Sequence, residues 1–236
     1  SELLLQEKSP RDITPVTRAP SVRVAGRGAM TGAGESLTVV VEPGRAAREV
    51  ALISNGDFST LLSSTGAGRS MLGGIALNRW TPDPAQDDGG IFIFLRDMQS
   101  GEWWSATHSP HSGPDERASA IFSDHKAEFF KTANAIETRL EIIAATESHA
   151  DGRRLTLRNR SGSDKTIEIT SYGEIVLDDP AADHAHPAFS KLFVQTEIRG
   201  GGTMIAAERR PRDPHGQPLY LAHLIACPDG AIAPGA

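Results

Sequence analysis

Ile136-Glu137-Thr138-Arg139-Leu140-Glu141-Ile142 decides the fold class. Its apolar residues Ile136, Leu140 and Ile142 fall on one side of a period of two, and Glu137, Arg139 and Glu141 fall on the other. That is the pattern of a strand with one wet face, because successive side chains of an extended chain point to opposite sides of a sheet. Thr166-Ile167-Glu168-Ile169-Thr170 repeats it.

Working outward, short apolar or alternating runs recur, each bounded by Gly, Pro, Asn or Asp. The predicted strands are Ser36–Val41, Glu49–Ser54, Phe58–Ser63, Ile75–Trp80, Ile91–Met98, Glu102–Thr107, Arg117–Ser123 and Lys126–Lys131. They continue with Ile136–Ala144, Arg154–Asn159, Lys165–Leu177, Lys191–Ile198, Thr203–Glu208 and Leu219–Ala226. Asn55-Gly56 between two runs is a strong hairpin signal; Ser100-Gly101 and Arg160–Asp164 join two further pairs. Many short strands with no sustained 3.6-residue period imply an all-β sandwich rather than alternating strands and helices.

The chain has 236 residues, 39% of them apolar, enough for one large β domain and against disorder over most of its length. The 24 basic and 30 acidic residues give a formal charge of -6, and the basic residues are scattered. Without a basic stripe a nucleic-acid partner is not expected. Cys227 is the only cysteine, which rules out an intrachain disulfide and fits a reducing compartment. Apolar runs such as Ile142 to Ala145 are far short of the ~20 residues that span a bilayer, and no signal-peptide pattern opens the chain. Beginning at Ser1 without Met, it reads as a fragment of a longer polypeptide. Residues 1–35, with Pro10, Pro15 and Pro20, read as a linker, and residues 36–236 as the sandwich.

Two stretches read as long rim loops, Trp80 to Gly90 and Leu177 to Pro187, the places where binding groups usually sit. Ser64 to Gly74 is glycine-rich but lacks the Lys-Ser/Thr ending of a nucleotide loop, so it reads as a backbone-dense loop. Asp87-Asp88 and Asp178-Asp179 are adjacent acids in loops, better suited to forming turns than to facing each other as acid and base. No catalytic residue is predicted. Trp80, Trp103 and Trp104 are the residues suited to stacking on a pyranose; Trp103 and Trp104, adjacent in a strand, must point to opposite faces. Asp183, His184 and His186 make a metal-like cluster, but the His-x-His pair offers two imidazoles and zinc needs a third protein ligand with supporting contacts, so neither a metal nor any other cofactor is expected; His215 and His223 would need the fold to bring them near.

Several segments taken in order carry a resemblance. They are Leu52-Ile53-Ser54-Asn55-Gly56, Ser64-Thr65-Gly66-Ala67-Gly68, Asn78-Arg79-Trp80, Asp87 through Asp97, and Ser100-Gly101-Glu102-Trp103-Trp104-Ser105. Ile136-Glu137-Thr138-Arg139-Leu140-Glu141, Thr170-Ser171-Tyr172-Gly173-Glu174 and His186-Pro187-Ala188-Phe189-Ser190-Lys191 through Glu197 follow. Together they resemble the phosphorylase-like region of bacterial cyclic β-1,2-glucan synthases, which is similar to cellobiose and chitobiose phosphorylases. The resemblance implies an antiparallel two-sheet super-sandwich of the galactose-mutarotase-like kind, with residues 227–236 stopping short of its last strands. It also implies a following α/α barrel, outside this sequence, that carries the general-acid aspartate and the phosphate site. The sandwich would support that barrel, lend loops to a β-glucan cleft and take part in pairing of chains. The parent would be an inner-membrane protein with this region in the cytoplasm.

Relatives in that family usually have Tyr-Ser after the glycine loop and an acid a few residues later; here Arg69-Ser70 and Gly74 stand in those places. The residues expected at a sugar cleft or domain boundary are therefore Arg69, Ser70, Trp80, Trp104, His186 and Phe189. Two other readings stay open at this point: an independent carbohydrate-binding module, and an aldose epimerase using two histidines and a glutamate.

Overall fold

A computed structural model describes residues 29–31, 36–41, 49–83, 87–113, 116–211 and 215–227. The first strands are β1 (Ala29–Thr31), β2 (Ser36–Val41), β3 (Val50–Ser54), β4 (Phe58–Ser63), β5 (Gly68–Leu72) and β6 (Ile75–Asn78). Next come β7 (Ile91–Asp97), β8 (Trp103–Ser105), β9 (Arg117–Ser123), β10 (Lys126–Ala133), β11 (Ile136–Ala144) and β12 (Asp151–Asn159). After β13 (Ile167–Gly173) and β14 (Ile175–Asp178) lie two short helices, α1 (Pro180–Ala185) and α2 (Pro187–Lys191). Strands β15 (Val194–Arg199), β16 (Met204–Arg209) and β17 (Leu219–Leu224) close the described chain.

The expected all-β antiparallel sandwich is observed. One layer is a six-stranded sheet in the order β1-β2-β9-β10-β11-β12. The opposite layer is divided into a five-stranded sheet, β14-β6-β5-β4-β3, and a three-stranded sheet, β13-β7-β8. Alternation puts Ala120, Phe122, Phe129, Leu140 and Ile142 of the six-stranded sheet against Ile53 and Leu62 of the five-stranded one. Leu95, Trp104 and Ala106 pack likewise against Ala133 and Ile136, and Ile93 and Leu155 touch both clusters. Burying each of the Leu, Ile and Phe side chains among them contributes roughly 1.5–3 kcal/mol, so these inward faces fix the strand register.

A fourth sheet, β15-β16-β17, abuts β14. Arg209 of β16 anchors it: the side chain is buried, donates to the carbonyls of Ser190 (2.9 Å) and Val176 (3.3 Å), and pairs with Asp178.

Four sequence expectations need correction. Ser64 to Gly74 is not all loop, because Gly68–Leu72 is β5, paired with β4. Gly68 is required there by close packing: a Cβ would lie 2.0 Å from the Leu61 carbonyl oxygen. Leu177 to Pro187 is not an irregular loop either, since it holds α1 and the start of α2. The Asp179 side chain accepts from the backbone N–H of Ala181 and Ala182, and Pro180 and Pro187 sit in first turns, where no N–H is needed. The run Lys165–Leu177 divides between β13 and β14, which belong to different sheets. Lys191 closes α2, and its following strand begins only at Val194.

Ala29–Thr31, placed in the linker, pairs with β2. The other residues of 1–35, and residues 228–236 on which the missing last strands were inferred, lie outside the described residues.

Candidate functional site

Strands β5 and β6 expose one face away from the core, and α1 with the start of α2 lies across it. Between them is a pocket of about 100 Å³ lined by Arg69, Asn78, Arg79, Trp80, Asp183 and His184, among others. Asn78 fixes its floor: its buried amide accepts from Ser70 N–H (2.9 Å) and donates to the Gly68 carbonyl (2.9 Å).

Arg79 ties the wall to the floor. Its Nε and Nη2 donate to the two oxygens of Asp183 (2.8 and 2.7 Å), and its Nη1 reaches Glu174 at 2.5 Å. Such a bidentate pair fixes orientation as well as charge. Burial pushes the Asp183 carboxyl up, but the Arg79 hydrogen bonds and charge outweigh it and hold the group below its ordinary range. Hydrogen bonding to Asp183, opposed by burial, raises Arg79 in turn. Lys191 from α2 gives Glu174 a second cation at 3.1 Å.

The Arg69 guanidinium lies 5.7 Å from the centre of the Trp80 ring. Arg69 Nε and Trp80 Nε1 are both buried and have no hydrogen-bond partner among the described residues. Two predicted residues, different in kind, thus share one wall, with both of these N–H groups closed to solvent.

Of the other predicted site residues, His186 joins α1 to α2, exposed, with its carbonyl accepting from Ser190 N–H. Phe189 is half exposed on α2, its ring 5.3 Å from that of Phe193. Neither lines the pocket, although His186 precedes its lining residue Pro187. Ser70 and Trp104 must be corrected. Ser70 is buried on the inner face of β5, against the Thr60 hydroxyl at 3.1 Å. Trp104 is 0% exposed in the core cluster, so the outward partner of the pair is Trp103, 51% exposed and stacked on His111.

Sequence reasoning passed over Arg79 and Asp183 as a pair. A signal was present, since a cation ending an apolar strand has to find a partner, but the partner lies 104 residues on. Asp183 is committed to Arg79, and no group of three or more potential metal ligands exists among the described residues. Asp179 caps α1 and Asp178 pairs with Arg209, which accounts structurally for that acidic couple. A larger hollow of about 500 Å³ on the outer face of the six-stranded sheet includes Phe130 and Arg139, but Arg139 is held by Glu128 and Glu141.

Comparison with known proteins agrees with this architecture. The chain is 44% identical over 225 residues, 95% of its length, to the cyclic beta-(1,2)-glucan synthase NdvB of Rhizobium meliloti (strain 1021). It is 24% and 25% identical over 153 residues to the N,N'-diacetylchitobiose phosphorylases of Vibrio furnissii and Vibrio proteolyticus, matching 61% of this chain. The chain spans 8% of the length of the synthase and 19% of each phosphorylase. Residues 36–232, nearly the whole sandwich, match the glycosyl hydrolase 94 supersandwich domain, and the chain belongs to that family.

Proposed function

We propose that this chain is the non-catalytic supersandwich module of a larger β-glucan-handling enzyme, of the cyclic β-1,2-glucan synthase or disaccharide phosphorylase kind. It braces an α/α barrel carried elsewhere in the same polypeptide and lines part of a cleft for the glucan, on the cytoplasmic side. The observation that carries this reading is the Arg69–Trp80 wall, where a guanidinium and an aromatic ring meet in one pocket beside the five-stranded sheet. Aromatic faces pack on the C–H surfaces of pyranoses, and a guanidinium group suits sugar oxygens. A pocket of about 100 Å³ is too small to enclose a glucan by itself, which favours a cleft completed by another domain.

Isothermal titration with linear β-1,2-gluco-oligosaccharides, with cello-oligosaccharides for comparison, tests this. The isolated chain, shown to be folded, is expected to give no heat with either. In the whole polypeptide, Trp80→Ala should weaken β-1,2-glucan binding about 3- to 10-fold, the worth of one stacking contact. Tight, Trp80-dependent binding by the isolated chain would replace this reading with that of an independent carbohydrate-binding module. Unchanged affinity of the Trp80→Ala polypeptide would remove the pocket from the cleft.

A further inference from the structure

Residues 55–57 turn β3 into β4, and residues 145–150 turn β11 into β12, so hairpin ends of the two opposed layers meet at one end of the sandwich. Asn55 fastens them together. Its Nδ2 donates to the carbonyls of Ala145 (2.7 Å) and Ser148 (3.0 Å), which uses both amide protons. Its Oδ1 accepts from the Phe58 N–H at 2.9 Å, and the Gly56 N–H donates to the Ser54 hydroxyl at 3.0 Å. Asp57 and His149 face each other across the same gap at 4.0 Å, but both are exposed, so the Asn55 amide carries the joint.

The residue after Asn55 gives this amide a second chemistry. Asn55 is the only asparagine of the chain followed by glycine; Asn78 and Asn159 precede Arg, and Asn134 precedes Ala. Glycine has no Cβ to keep its backbone nitrogen away from the side chain before it. Gly56, at φ +107°, has nothing within 4 Å of where a Cβ would lie. Once hydroxide has taken its proton, the Gly56 nitrogen can attack Asn55 Cγ. The new N–C bond closes a five-membered ring, the bond from Cγ to Nδ2 breaks, and ammonia leaves. Water then opens the ring at either carbonyl and leaves aspartate or isoaspartate in place of the amide.

We propose that Asn55 is a hydrolytic modification site that the fold holds shut, and that its conversion unfastens the two hairpin ends. Ring closure needs Cγ to swing onto the Gly56 nitrogen. In the folded chain the amide is tied on both sides to backbone groups, and the Gly56 N–H is tied to Ser54. The reaction therefore waits for local opening of the turn. Afterwards the joint cannot re-form, because a carboxylate has no proton to donate and sets its charge against the Ala145 and Ser148 carbonyls. Conversion is one-way, so it marks chains in which this end of the sandwich has opened. It is independent of the Arg69–Trp80 pocket.

Peptide mass spectrometry of the full chain measures the conversion directly. Two samples are held at the same mildly alkaline pH and temperature, one in buffer and one in concentrated urea. Asn78, Asn134 and Asn159 serve as slow internal references. Asn55 is expected to convert at least about tenfold more slowly in buffer than in urea, because several hydrogen bonds must break before the ring can close. Asn55→Asp, the product made directly, should raise amide hydrogen exchange of residues 145–150 about 5-fold or more, while β10 and β11 keep their protection as a check of folding. Equal conversion in buffer and urea shows that the fold does not hold the site shut and overturns the proposal. Exchange of residues 145–150 in Asn55→Asp no faster than in the unaltered chain overturns it as well, since the joint would then not depend on the amide.

Discussion

Trp103 and Trp104 are identical in chemistry and adjacent in sequence, yet β8 sends one outward and one into the core. Trp104 is wholly buried with Leu95, Ala106 and Ile136, whereas Trp103 rests on His111 with ring centres 4.2 Å apart. Strand geometry required opposite faces but did not say which residue faced inward, since both flanks carry polar neighbours in Glu102 and Ser105. The energetic consequence is asymmetric. Trp104→Ala empties a site of closely packed core and should lower unfolding free energy by about 3–5 kcal/mol. Trp103→Ala removes a half-exposed ring and should cost no more than about 1 kcal/mol. Urea unfolding of the two variants measures the difference, and equal losses would contradict the assigned faces.

The legibility of the elements follows the range of the interactions that form them. Strands with one wet face, such as Ile136–Ala144, were readable because their period is written in consecutive residues. The pocket wall was half readable: Arg69 and Trp80 stood out by type, but their approach depends on β5 and β6 being neighbours in the five-stranded sheet. β5 was hidden because Gly68 looks like a loop glycine, while its real constraint is the Leu61 carbonyl of the next strand. The helices were hidden because Pro180 and Pro187 look like breakers, while both occupy first-turn positions where proline is favoured. Helix α1 is only six residues long, so it depends on its cap more than on internal hydrogen bonds. Asp179→Ala leaves the Ala181 and Ala182 N–H groups without their acceptor and should cost about 1 kcal/mol. Amide hydrogen exchange of residues 181–185 should rise in that variant while β10 and β11 keep their protection. Exchange unchanged in α1 would show that packing alone, and not the cap, holds the helix on the pocket.

For the whole molecule, three carboxylates close three different seams. Asp97 joins β7 to Lys165 ahead of β13 at 2.6 Å, Glu128 joins β10 to Arg139 of β11, and Asp183 joins α1 to Arg79 beyond β6. The Lys165 hydrogen bond, helped by the Gln99 N–H, holds Asp97 below its ordinary range. Burial pushes Glu128 up, but Lys126 and Arg139 outweigh it and leave the group depressed, as Arg79 does for Asp183. Each folded-state pKa therefore lies below its unfolded value, and the unfolded chain takes up protons first as pH falls. The stability these groups contribute is present above the ordinary carboxylate range, about pH 4, and is lost as pH drops through the depressed values. The urea midpoint should accordingly change little on their account from pH 7 to about pH 5 and decline below about pH 4. Asp97→Asn is expected to lower the midpoint at neutral pH and to flatten the acid decline, because the linked proton is gone. Asp183→Asn should do the same, since Arg79 would keep only Glu174 and α1 would lose its ion pair to the end of β6. An acid decline as steep in both variants as in the unaltered chain would place the proton-linked stability in other carboxylates.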